Sequence, residues 1–280
     1  MTALERRDIP AARRVVVKVG SSSISGDNAH KIPPIVDALA AAHGRGTEVV
    51  LVSSGAIATG MPYLRLGERP SDLATQQAAA AVGQNVLIYR YQEALRPFSI
   101  VAGQVLLTAG DLENATHRSN ARRAMERLLG LRIIPIVNEN DTVATHEIRF
   151  GDNDRLAAMV GELIGADALV LLSDIECLYT RPPDEPGARP IAEVAYGDDL
   201  HGFEFGSVVV NSVGTGGAAT KVSAARLAAA SGIGVLVTSA DLVGSALAGD
   251  EIGTWFRPNP EPAAPAATGP VRTAVDTLGG

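Results

Sequence analysis

Short, unbroken apolar runs that end in small polar residues recur along this chain, and they constrain its fold more than any other feature. Val15-Val16-Val17 and Val19 enclose Lys18 and stop at Gly20-Ser21-Ser22-Ser23, and Val49-Val50-Leu51-Val52 stops at Ser53-Ser54-Gly55. Runs this short, with no polar alternation, read as strands buried on both faces. Between the two, Ile32, Ile35, Val36, Leu39 and Ala40 recur at helical spacing, and Gly44 marks a helix stop. Strand, Gly/Ser loop, helix, strand, Gly/Ser loop is a βαβ unit with small-residue loops at the strand C-termini.

The alternation continues. Residues 71–96 predict a long Ala/Gln-rich helix, Ile100 to Leu107 a strand, and 112–129 a helix. Ile133-Ile134-Pro135-Ile136-Val137 predicts a strand in which the proline is out of place. Leu156, Met159, Val160, Leu163 and Ile164 mark one helix face; Ala168 to Leu172 is a strand, 221–231 a helix and Val235-Leu236-Val237 a strand. The expected fold class is therefore α/β, a largely parallel central sheet sandwiched between helices. Residues 174–215, rich in Pro, Gly and Asp, read as hairpins and loops. From Pro258 the sequence PNPEPAAPAATGP has neither period, so the expected organisation is one domain over 1–257 and a disordered tail over 258–280.

Composition excludes several classes. With 46% hydrophobic residues among 280, the chain can bury a core of domain size. A net charge of −7 argues against a nucleic-acid partner. The single cysteine, Cys177, cannot close an internal disulfide and fits a reducing compartment. No stretch approaches the ~18 apolar residues of a membrane span, and MTALERRDIPAARR is too charged for a secretory signal. A cytoplasmic protein without a membrane partner is expected. The five histidines show no metal-ligand spacing, so no protein metal site is expected.

Open parallel sheets bind ligands beyond the C-terminal ends of their strands. Four such exits carry polar residues here: Lys18 to Ser23, Ser53-Ser54-Gly55-Ala56, Asn138 to Thr142, and Ser173-Asp174. Gly151 to Asp154 and Gly214 to Lys221 are loop-to-helix junctions. Glycines before a helix let its free N–H groups approach a phosphate, and Lys221 could reach an oxygen of it; the alternative is a Gly-rich loop with a solvated lysine. Lys18 sits inside a buried strand, where it must find a partner or snorkel to the strand edge. Asp152, Asn153 and Asp154 read either as helix caps or as ligands, and Asp141 either as an Asx-turn or as a ligand. Together the carboxylates could hold an ammonium group and orient two lysines.

The ordered set VVVKVGSS (15–22), VSSGAIATG (52–60), AAVGQ (80–84), IPIVNENDTVAT (134–145), EIRFGDNDRLAA (147–158), ADALVLLSDIECLYT (166–180) and GTGGAATK (214–221) resembles the amino acid kinase family. VNENDTVAT close to FGDND resembles its branch acting on free glutamate. The likeness spans residues 15 to about 256. It implies ATP-dependent phosphorylation of the glutamate side-chain carboxylate, at the first step of proline synthesis, with Mg²⁺ carried mainly by the nucleotide phosphates. Lys18 and Lys221 then look like the lysines flanking the transferred phosphoryl group, with Asp154 orienting them. Ser54, Gly55, Ala56, Asp141, Asp152 and Asn153 look like the glutamate site. Lys18, Ser173, Asp174 and the stretch Thr215, Gly216, Gly217, Ala218, Ala219, Thr220 and Lys221 look like the ATP site. The resemblance also implies proline as feedback inhibitor, a homo-oligomer (dimer or tetramer), and hand-off of the labile product to glutamyl-phosphate reductase. Arg149, Ser173, Cys177 and Ala218 depart from residues frequent in the family, and a Pro/Ala-rich stretch stands where many members carry a pseudouridine-synthase-and-archaeosine domain. Other kinases of this fold, or an amino-acid sensor that kept it, are the competing readings.

Overall fold

A computed structural model describes residues 5–143, 153–200 and 217–262. The N-terminal βαβ unit is present. Strand β1 (Arg14–Val19) leads through 3₁₀ turns into helix α1 (Ile32–Gly44) and then β2 (Glu48–Val52), which pairs with β1 in parallel, Lys18 opposite Val52. Then come α2 (Ala56–Gly60), α3 (Leu73–Leu95), β3 (Ala102–Leu107), α4 (Ala109–Glu113), α5 (Ala115–Gly130) and β4 (Ile134–Glu139). The second half supplies α6 (Asn153–Ile164), β5 (Ala168–Ser173), a small hairpin of β6 (Leu178–Tyr179) and β7 (Pro190–Ile191), and β8 (Glu193–Val194). It ends with α7 (Ala218–Ala230), β9 (Gly234–Ser239), α8 (Val243–Ala248) and β10 (Thr254–Phe256).

The single helix expected over 112–129 is two helices, parted at Asn114. That residue is extended (φ −77°, ψ 121°), and its side-chain oxygen accepts hydrogen bonds from the N–H groups of Thr116 and His117, so a new helix starts there. Helix α3 begins after Asp72, which accepts from the Thr75 N–H. Pro135 does fit its strand. Ile134 donates to the Val101 carbonyl on the β3 side, which turns the proline nitrogen toward β2, and pairing with β2 starts only at Ile136.

The main sheet runs β3-β4-β2-β1-β5-β9-β10-β8. From β3 to β9 every pairing is parallel; β10 is antiparallel to β9 and parallel to β8. Buried residues divide between the two faces by strand parity. Val15, Val17 and Val19 pack with α1, α3 and α8, through Leu39, Tyr91 and Val243 among others. Val16, Val50 and Leu171 pack with α5, α6 and α7, through Met125, Leu163 and Val222 among others. Lys18 shares parity with Val16, so its side chain belongs to the α6–α7 face. β1 lies at the centre, with β2 on one side and β5 on the other. The chain leaves β1 toward β2 and leaves β5 toward β9, so the β1/β5 boundary is where connections diverge and a crevice opens.

The structured body continues past residue 257. Pro258 is buried, and the Asn259 N–H donates to the Ala229 carbonyl at 2.8 Å. Residues 263–280 of the expected tail lie outside the described residues. No helix among the described residues is long and apolar enough to cross a membrane.

Candidate active site

Lys18 does not snorkel. Its ammonium lies 2.6 Å from Oδ1 of Asp154, and it is 4% exposed. Oδ2 of the same carboxylate is 3.4 Å from Nζ of Lys221, the fourth residue of α7, and accepts a hydrogen bond from the Thr220 hydroxyl at 3.0 Å. The Gly217 N–H donates to the Thr220 hydroxyl oxygen at 3.2 Å, so the first turn of α7 is tied to the carboxylate. Burial pushes Asp154 up. The Lys18 and Lys221 charges, with hydrogen bonds from Lys18 and Thr220, outweigh it and hold the group at about 2. Two buried cations thus share one buried anion, leaving a net positive centre at the sheet's crevice. Such a centre suits a transferring phosphoryl group.

Helix capping does not account for Asn153 and Asp154. Both open α6, yet both are buried and turned inward. Asn153 Nδ2 donates to Ser54 Oγ at 3.0 Å and lies 3.3 Å from Asn138 Oδ1. Two atoms here, Asn153 Oδ1 and Asn138 Nδ2, are buried with no hydrogen-bond partner among the described residues. Buried amides are rarely left so, and the pair offers one acceptor and one donor to a polar ligand. Asn138 joins this cluster, although reading the sequence alone passed over it. Its signal was an asparagine at the end of an apolar strand, inside a loop already identified as a strand exit.

Asp141 is 8% exposed. Burial, with the nearby Glu139 carboxylate adding to it, pushes its carboxyl up to about 7 against the opposing pull of Arg69. The neighbouring Asn140 side chain accepts from the Thr142 hydroxyl at 2.6 Å. Gly55, at φ 84°, ends the β2 exit, and a Cβ there would meet Ser25 Oγ at 2.5 Å. Both conformation and space therefore select glycine, which turns Ser54 toward Asn153 and starts α2 at Ala56.

On the remaining side, Ser173 closes β5 and its hydroxyl donates to Asp174 Oδ1 at 3.0 Å. Gly217 is the N-cap of α7 and Ala218 and Ala219 begin it, and these small residues leave its N-terminal N–H groups approachable. A Cβ on Gly20 would stand 3.8 Å from Lys18 Nζ, an ordinary contact, so the Gly20 loop passes directly beside the ammonium. These residues fit a nucleoside triphosphate: small groups, a helix N-terminus and two lysines converge where anionic oxygens would lie. Asp152, Thr215 and Gly216, together with Arg149, lie outside the described residues. The structure thus joins Lys18, Asp154, Thr220 and Lys221 in one cluster and Ser54, Asn153 and Asn138 in a second. Consecutive residues at the start of α6 bridge the two. The described histidines bond elsewhere: His30 with the Asp27 carbonyl, His43 with the Arg132 carbonyl and His117 with Asp111.

The profile of the amino acid kinase family matches residues 13–239. A protein of Clavibacter michiganensis subsp. michiganensis called glutamate 5-kinase is 70% identical over 258 residues, covering 92% of this chain and 99% of that protein. One from Leifsonia xyli subsp. xyli, with the same name, is 69% identical over 267 residues, covering 95% and 99%. Among solved structures, carbamate kinase from Giardia lamblia bound to AMP-PNP superposes with a TM-score of 0.64 at 16% identity, covering 89% of this chain and 100% of that one, which speaks for the fold. Sheet order, the two-lysine centre and these likenesses agree: the chain belongs to the amino acid kinase family, on its glutamate 5-kinase branch.

Proposed function

We propose that this chain transfers the γ-phosphoryl group of ATP to the side-chain carboxylate of L-glutamate, giving L-glutamyl 5-phosphate and ADP, the first step of proline biosynthesis. The observation that carries the reading is the buried Asp154 carboxylate held between Lys18 and Lys221. The 70% identity to relatives of that name supports it.

The substrate carboxylate is already a nucleophile, so no general base is required. Its oxygen forms the new P–O bond, the bond from the γ-phosphorus to the bridging oxygen breaks, and that oxygen leaves on ADP. The obstacle is bringing two anions together. Lys18 and Lys221, oriented by Asp154 and the Thr220 hydroxyl, offset that repulsion and stabilise charge on the phosphoryl group, a matter of position and electrostatics. Ser173, Asp174 and the start of α7 from Gly217 hold the nucleotide, with Thr215 and Gly216 assigned to the same role. Mg²⁺ rides mainly on the phosphates, which are hard oxygen donors, and neutralises part of their charge.

Glutamate's backbone end lies toward Ser54, Gly55, Ala56, Asn153 and Asp141, with Asp152 assigned beside them. Asp141 pairs with the free ammonium, which an acetylated amine would not offer. Proline as feedback inhibitor, a dimer or tetramer, hand-off of the labile acyl phosphate to glutamyl-phosphate reductase and a cytoplasmic location belong to the same reading and rest on the family likeness. The test is ADP release with ATP, Mg²⁺ and L-glutamate, with hydroxylamine trapping the acyl phosphate as hydroxamate and N-acetylglutamate and aspartate run alongside. Hydroxamate with glutamate alone is expected. Turnover of another acid instead would overturn the substrate assignment.

A further inference from the structure

Helix α3 reaches both halves of the glutamate pocket without lining it. Gln84 Nε2 donates to the Glu139 carbonyl at 3.3 Å, at the end of β4 between Asn138 and Asp141. Two turns further along, Tyr91 is wholly buried, and its hydroxyl lies 2.9 Å from Ser53 Oγ. Ser53 is 1% exposed; its N–H is bound to the Val137 carbonyl and its hydroxyl is 3.3 Å from the carbonyl of Ser54. A hydroxyl has one proton. When Ser53 gives its proton to the Ser54 carbonyl, Tyr91 is the donor to Ser53, which links Tyr91 through Ser53 to Ser54.

Strand parity explains the division of labour. Val49 and Leu51 face α3 and Val50 and Val52 face α6. Ser53 and Ser54 continue that alternation past the end of β2: Ser53 meets Tyr91 and Ser54 meets Asn153. We propose that Tyr91 is a positioning residue for the acid substrate: through Ser53 it fixes the Ser54 backbone, and so the angle at which the Ser54 hydroxyl and the Gly55 turn meet the substrate. The proposal rests on the glutamate-site reading of Ser54. The relay ends at Ser54 and Asn153, whereas the Lys18 and Lys221 ammoniums of the nucleotide half are held by Asp154.

The experiment is steady-state kinetics of Tyr91→Phe, Ser53→Ala and the double variant, each substrate varied in turn, with Tm recorded for every protein. Losing one buried hydrogen bond sets the scale: the KM for glutamate rises about three- to tenfold in each single variant, and the double variant adds little more. The KM for ATP stays within about twofold. Equal rises for both substrates, no rise for glutamate, or fully additive single effects would overturn the proposal. Ser53→Ala breaks the same link from its other end, so the result stands even if Tyr91→Phe folds poorly. The unmodified chain is assayed first. Should it phosphorylate a different acid, the substrate assignment fails, and the relay is judged on the KM for that acid.

Discussion

Replacing Asp141 with asparagine should strengthen the fold while weakening the substrate complex. An unfolded aspartate titrates near 3.8, whereas burial and the Glu139 carboxylate raise Asp141 to about 7 in the folded chain. Between those values the folded protein holds a proton that the unfolded chain has released. Raising the pH from about 4 to about 7 therefore favours unfolding, and above about 7 the penalty is constant. A displacement of about three pH units corresponds to an upper bound on the order of 4 kcal/mol. Asparagine is nearly the same size and never charges, so Asp141→Asn should gain part of that at pH 8 and almost none near pH 4. At roughly 2–4 °C per kcal/mol for a chain this long, the rise in Tm at pH 8 is several degrees. In the same variant the KM for glutamate should climb about 10- to 100-fold at neutral pH, because the ammonium loses its charged partner. For the native chain, glutamate affinity should fall as pH drops below about 7, and binding there should release a proton, measurable by calorimetry in buffers of different ionisation enthalpy. Thermal unfolding of both proteins at pH 5 and 8, without ligand, checks the first claim. A variant no more stable at pH 8, or equally stabilised at both pH values, would mean that Asp141 is already ionised and paired in the folded chain, and the reasoning would fail.

Three further outcomes follow from the same geometry. Lys18→Ala and Lys221→Ala should each lower turnover by about 10²–10³, the cost of one lost transition-state donor, in the hydroxamate assay; near-normal activity in either would remove that lysine from the mechanism. Asp154→Asn should cost turnover through misplaced lysines and also lose stability. Its carboxyl is held at about 2, so the stabilisation it supplies is present above about 4 and disappears as pH falls toward 2, and the variant should be less stable at pH 7 with the gap closing in acid. Gly83→Ala should be severely destabilising, because a Cβ there would sit 1.7 Å from the Ala56 carbonyl oxygen; soluble, fully active protein would show that α2 and α3 can part without harm.

What the sequence made legible was whatever depends on burial along a single strand. β1, β2 and β5 are covered on both faces, so their apolar runs are unbroken, and Lys18 stands out for that reason alone. The strand exits follow, since a parallel sheet puts its ligand loops at one end. What depends on distant elements meeting was less legible. Asp154 becomes the partner of two lysines only because α6 and α7 cover the same face as the even-numbered residues of β1, and spacing along the chain carries no trace of that. The break at Asn114 shows local capping chemistry overriding an apolar period that reads through it. Gly60 and Gly83 have a reason that composition hides: a Cβ on Gly60 would meet the Ala79 carbonyl at 1.9 Å, so α2 and α3 touch backbone to backbone, and the turn at Gly55 is seated by that contact. Ser53 and Ser54 are the sharpest case. They are identical neighbours at one strand exit, and nothing in their residue type separates them. Only when a helix stands on each side of the sheet does one serine find a tyrosine and the other an asparagine, so the scaffold serine and the proposed substrate contact differ by a single step of the strand.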